Sequence, residues 1–143
     1  MEKEIKPDKK DKSERLNYLK KEKLKQEKRR NFYSEQLREI KEMLESNEKE
    51  IRYNEGWIKF HENSIKGHQK VIDETFDLDE KIDQQGKLKF HVEQINEHHN
   101  KSVNYHKKEV EALNKEIELF GEGIKRCEEQ LEFLNKKIIE NTE

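Results

Sequence analysis

The stretch NEKEIRYNEGWIKFHENSIKGHQKVI, residues 47–72, repeats a seven-residue phrase. Asn47, Asn54, His61 and His68 open successive phrases, and Ile51, Ile58, Ile65 and Ile72 follow four places later. Residues three and four apart share one face of a helix, so this alternation predicts a helix with a seam for a partner helix. With the isoleucine position called a, the a series runs Leu37, Leu44, Ile51, Ile58, Ile65, Ile72. The d series runs Tyr33, Ile40, Asn47, Asn54, His61, His68, Thr75. One seam position is aliphatic throughout, and the other turns polar after Ile40. Polar seam residues cost stability but fix register or oligomer state, because a slipped alignment leaves them buried without partners. That is the role expected of Asn47, Asn54, His61 and His68, together with His99 and His106 from the second half.

The second half has its own register. Its a series is Val103, Val110, Ile117, Ile124, Leu131, Ile138, and its d series is His106, Leu113, Phe120, Cys127, Leu134, Asn141. Upstream, Leu88, Val92, Ile95 and His99 step by 4, 3 and 4, and another 4 reaches Val103. The extra four-residue step predicts a stutter, a local unwinding of the supercoil. Between the registers lies DETFDLDEKIDQQGK, residues 73–87, where the a position would be Asp79 and Gly86 weakens the helix. A turn is expected there, anchored by Phe76, Leu78 and Ile82, with its acids favouring the start of the next helix.

Two helices joined by a short connection pack antiparallel. The expected fold is therefore all-α, a long antiparallel helical hairpin (coiled coil). The expected segments are a flexible basic stretch over 1–12, a helix over 13–75, an acidic turn over 76–87 and a second helix over 88–141. Gly121 and Gly123 suggest a hinge or a place where another backbone comes close, and a complete break at 121–123, giving a third short helix, is the rival topology. Pivoting such a hairpin near residue 82 sets Ile58 against His106, His61 against Val103 and Ile65 against His99.

Composition agrees with long helices. Of 143 residues, 45% are charged and only 29% hydrophobic, with a single proline, Pro7, so an alternating sheet core is hard to build. A disordered chain of this composition would have no reason to space its aliphatics evenly. No apolar run approaches the roughly 18 residues of a membrane span, and the start MEKEIKPDKKDK lacks a signal-peptide core. A soluble, cytoplasmic protein without membrane contact is expected. The lone Cys127 lies on the seam and reads as a small buried hydrophobe.

A hairpin needs only a and d, yet Tyr53, Trp57 and Phe60 lie beside d at spacing i, i+4, i+7. The second half adds Tyr105, Ala112, Leu119 and Phe133. Aligned aromatics widen the apolar arc beyond what one partner helix covers. A partner-binding face of Tyr53, Trp57, Phe60, Tyr105, Leu119 and Phe133 follows, and its economical occupant is a second copy. The expectation is a homodimer in a four-helix arrangement, with a foreign protein, unknown from sequence, as the alternative occupant.

Charge is distributed unevenly. Residues 1–30 hold 13 Lys and Arg against 7 Asp and Glu, whereas the remaining 113 hold 18 against 26. The run KKEKLKQEKRR suggests nucleic-acid contact through Lys20, Lys21, Lys23, Lys25, Lys28, Arg29 and Arg30. Only Tyr18 offers a stacking ring nearby, and the returning helix would set Glu128, Glu129, Glu132, Glu140 and Glu143 alongside.

His61, His68, His91, His98, His99 and His106 invite a metal or proton reading. The recurring interval of seven separates rings along one helix by about 10.5 Å, whereas helical metal ligands sit three or four apart. No metal and no cofactor are expected, and a proton- or metal-responsive histidine coil remains a third functional reading. Asp77, Asp79 and Asp83 do not make a calcium loop: its fifth, sixth and twelfth places hold Lys81, Ile82 and Leu88 instead of acid, Gly and Glu. With no phosphate loop, nucleophile elbow or metalloprotease motif, the chain is expected not to be an enzyme. The leading expectation is a non-enzymatic scaffold, adaptor or inhibitor of another protein, from a phage or a low-GC source; nucleic-acid binding by the N-terminal segment is the second.

Overall fold

A computed structural model describes residues 9–142, and all the regular structure among them is helical. Helix α1 spans Lys9–Glu74, α2 spans Leu78–Gln94, a π-helical turn spans Ile95–His99, and α3 spans Asn100–Thr142. Residues 1–8 of the expected flexible segment lie outside the described residues, and the chain is helical from Lys9 on. The 66-residue α1 has Asp11 in its first turn, where a carboxylate complements the helix dipole. It contains no proline, and pairs such as half-buried Lys23–Glu27 and exposed Lys49–Glu45 span single turns. Each contributes about 0.3–0.5 kcal/mol, so it is the Lys, Glu, Gln and Leu content that sustains the helix.

The described residues divide into two compact units: Lys41–Asn114, and those up to Ile40 together with those from Lys115 on. In the first unit, cross-helix partners fall in number along α2 and α3 as they rise along α1. His106 meets Asn47, His99 meets Asn54, His91 meets His61 and Gln84 meets His68. This order defines an antiparallel helical hairpin closed within the unit itself.

The connection is three residues, Thr75–Asp77, and corrects the turn expected over 76–87. Asp77 caps α2: its Oδ1 accepts from Asp79 N–H at 3.0 Å and, more weakly, from Glu80 N–H at 3.5 Å. Thr75 Oγ1 accepts from Asp77 N–H at 3.2 Å, and Thr75 N–H closes the end of α1 on Val71 O at 2.9 Å. A cap of this kind contributes about 1 kcal/mol, enough to offset the similar cost of Gly86 inside α2. Phe76, Leu78 and Ile82 do not anchor the turn: Phe76 is fully exposed at 101%, and the other two are also exposed. Hydrogen bonds hold the connection in place of apolar packing.

The extra step upstream of Val103 is absorbed in one place. Within the π-helical turn, Asn100 N–H bonds Ile95 O, five residues back. From His91 to His99 is eight residues, while their partners His61 and Asn54 are seven apart. A π turn carries one additional residue, so both layers stay paired, and the expected stutter is instead a single inserted residue.

In the second unit, α3 passes through Gly121 and Gly123 without a break, so the third short helix is absent. Gly121 faces open space, but a Cβ at Gly123 would lie 3.0 Å from Cδ2 and Cε2 of Tyr33. The Tyr33 ring also meets Phe120, with centroids 5.7 Å apart. Leu19, Ile40, Cys127, Leu131 and Leu134 are the buried apolar residues of this unit. Cys127 is a free, buried thiol.

Candidate functional site

Two polar d residues of α1 are buried to about the same depth as Val103 and Leu113, the buried aliphatics of the Lys41–Asn114 unit. Asn54 is 7% and His61 6% exposed, whereas Ile51, Ile58, Ile65 and Ile72 are half-buried. Burying an amide or imidazole without partners would cost a few kcal/mol, so each must be satisfied. Asn54 Nδ2 donates to Glu50 O at 2.8 Å and to Ser102 Oγ at 3.0 Å, and its Oδ1 accepts from His99 Nδ1 at 2.9 Å. Two turns away, Asn47 Nδ2 donates to Met43 O at 2.8 Å and its Oδ1 accepts from His106 Nδ1 at 2.6 Å. His68 Nδ1 donates to Gln84 Oε1 at 2.5 Å. Among the described residues no buried side-chain nitrogen or oxygen lacks a partner.

These bonds fix tautomers. An amide oxygen can only accept, so His68, His99 and His106 each carry hydrogen on Nδ1. The layer between them differs: His61 and His91 face each other through their Nδ1 atoms, 2.6 Å apart. One ring donates and the other accepts. The alternation of imidazoles with aliphatics, expected from a pivot at residue 82, is replaced by a ladder. His91 lies 5.4 Å from His68 and 4.9 Å from His61, and His61 lies 5.4 Å from His99, centroid to centroid. The real pivot lies near residue 76, and moving it by six residues moves every partner by about twelve. His61 therefore meets His91, not Val103.

Burial, and then the neighbouring imidazoles His91 and His99, hold His61 below its ordinary pKa of 6.5. His91 is lowered first by burial and then by His68. Both rings favour the neutral form, because a charge there would lose water and face other imidazoles. The rings overlap face to face or at a tilt and do not converge on a point. Among the described residues no three His, Cys, Asp or Glu side chains are placed to hold one metal ion.

The aromatic row flanks this ladder. Tyr53 and Trp57 meet edge to face with centroids 6.4 Å apart, and Trp57 and Phe60 likewise at 5.5 Å. Trp57 also stacks on His99, 6° from parallel at 6.2 Å, which holds the indole against the seam while leaving it 40% exposed. Arg52, Tyr53, Gly56, Trp57 and Phe60 line an open groove of about 410 Å³. A Cβ at Gly56 would meet nothing within 4 Å, so the groove widens at that point. Tyr105, in the same unit, lies exposed with its edge to His106 at 5.1 Å. Leu119 and Phe133 are exposed too but belong to the other unit, where Phe133 lies 5.7 Å below the Lys137 ammonium.

The basic residues sit on α1 in that other unit. Lys20, Lys21, Lys25, Lys28 and Arg29 are exposed, while Lys23 and Arg30 are half-buried on the side of buried Leu19. At 100° per residue the seven cations spread around the helix instead of forming one stripe. Lys23 pairs with Glu27 at 4.0 Å and Lys25 with Glu22 at 3.7 Å, both within α1.

Sequence reasoning missed Gln84, Ser102 and the place of His91 in the seam. The signal was present in the D-x-x-E spacing of Asp77 and Glu80, which marks a helix start and would have moved the pivot. No helix among the described residues is long and apolar enough to cross a membrane. Comparison of the chain with family models, with curated proteins and with solved structures finds no match.

Proposed function

We propose that this chain is a non-enzymatic interaction protein, a coiled-coil hairpin that pairs with a second copy through the Tyr53, Trp57 and Phe60 face to give a four-helix arrangement. In that form it scaffolds, adapts or inhibits another protein. The observation supporting this reading is the open groove among three interlocked, exposed rings, beside a seam whose own polar groups are already satisfied. Each ring is already about half covered, so covering the remainder contributes on the order of 1 kcal/mol. A row one helical face wide suits an antiparallel helix of the same kind, and a two-fold axis would use the row twice.

Sedimentation equilibrium of the wild type and of Trp57→Glu tests the proposal. The wild type is expected at twice the 17.5 kDa chain mass and the variant at the chain mass, with unchanged helicity. A monomeric wild type, or a variant that dimerises equally well, would remove the reading. Nucleic-acid binding through Lys20 to Arg30 is tested by titration at low salt: no binding there ends it, and steeply salt-dependent binding supports it.

A further inference from the structure

The His61–His91 layer differs from its neighbours in what protons do to it. His68, His99 and His106 donate Nδ1–H to amide oxygens, so a proton added at Nε2 leaves those bonds intact. Between His61 and His91 there is room for one hydrogen. A first added proton takes the free Nε2 of the donating ring and leaves the bond in place. A second has only the accepting Nδ1 to occupy, and it sets two N–H groups and two charges face to face.

His61 is buried and His91 half-buried, and both lie among rings. His61 packs against Trp57 at 5.8 Å, Phe60 at 5.4 Å and His99 at 5.4 Å. His91 packs against Phe60 at 6.3 Å, Phe90 at 5.4 Å and His68 at 5.4 Å. Trp57 and Phe60 are also walls of the open groove. The proton-sensitive layer and the docking groove thus share side chains. We propose that docking at this groove is proton-controlled: the second copy is held while His61 and His91 share one hydrogen, and is released when both rings are charged and push Trp57 and Phe60 out of place.

Lys59 and Glu62 on α1, Lys87, Lys89 and Glu93 on α2, and Glu97 and His98 on the π turn are all exposed. Lys87 pairs with Asp83, and Glu97 with Lys101. The charged groups acting on the pair are imidazoles: His91 and His99 act on His61, and His68 acts on His91. Burial and these imidazoles both favour the neutral pair, which places the uptake of protons below pH 6.5.

The inference rests on the docking reading, and one experiment separates the two. The chain has a single tryptophan, so its fluorescence reports Trp57 alone. Fluorescence, sedimentation and circular dichroism are followed from about pH 7.5 to about pH 5.5, bracketing the ordinary histidine range. The wild type is expected to be dimeric and to lose the dimer on acidification, with at least a tenfold rise in dissociation constant and a change in Trp57 emission below pH 6.5. Paired His61→Gln/His91→Gln and His61→Leu/His91→Leu variants, one polar and one apolar so that a folding failure of either leaves the other, should hold both signals within about twofold. A wild type dimeric at both pH values overturns the inference and spares the docking reading. A wild type monomeric at both overturns both, and variants that keep the full acid response overturn the assignment to this pair.

Discussion

Asn54 shows how a polar seam residue is kept without penalty: its amide gives two hydrogen bonds and takes one, joining α1 to Ser102 and His99. Truncation would strand those partners. Asn54→Ala is expected to cost about 1–3 kcal/mol in denaturant unfolding, the cost of orphaned buried groups. Asn54→Leu should cost less or even stabilise, because an apolar residue needs no partner, while loosening register. Two glycines separate by their surroundings in the same way. Gly121→Ala fills open space in a helix and should stabilise by about 0.5–1 kcal/mol. At Gly123 the added Cβ meets Tyr33 at 3.0 Å, so Gly123→Ala should gain distinctly less or lose stability, read from paired thermal midpoints. The residue scale also carries the pH dependence. His61 and His91 are lowered from 6.5, so the unfolded chain takes up protons first as pH falls. Stability should be full above pH 6.5 and decline as acid passes from 6.5 toward the lowered values, with the decline absent in His61→Leu/His91→Leu.

At the scale of elements, the helices were legible because a 4-3 spacing held over six phrases has no other economical reading. Leu37 to Ile72 and Val103 to Ile138 lie on α1 and α3 as that spacing requires. The connection was misplaced for a local reason. Gly86 was read as a breaker, although a single glycine costs only about 1 kcal/mol and the Asp77 cap supplies about as much. Replacing Asp77 by Ala should therefore destabilise the unit by about 1 kcal/mol, measured by chemical denaturation. The rest of the error follows from geometry: partners on a hairpin sum to a constant, so a small shift of the pivot misassigns them all. The ladder of His68, His91, His61 and His99 was thus spelled out in the sequence but not visible until the pivot was known. The π turn accounts for the remaining irregularity. Deleting the exposed Asn96 should convert Ile95–His99 to ordinary helix and leave the His61–His91 and Asn54–His99 pairs in step. Helicity and thermal midpoint should be retained or raised, and a loss of folded structure would contradict the one-residue account.

For the whole molecule, the sequence carried a class of architecture and a surplus of apolar surface, and it was silent on what covers that surface. Satisfied polar layers inside the Lys41–Asn114 unit and unsatisfied aromatic rings on its outside assign the two features different tasks. The polar layers tie particular residues of α1 to particular residues of α2 and α3, and the groove of Tyr53, Trp57 and Phe60 stays open, the face to which the proposal assigns a second copy. The most direct measurement of that claim is acrylamide quenching of the single Trp57 across a wide range of protein concentration at neutral pH. If a second copy covers the groove, quenching should be weak at high concentration and rise several-fold on dilution as the indole returns to its 40% exposure. Strong quenching that is the same at every concentration would contradict self-docking on this face.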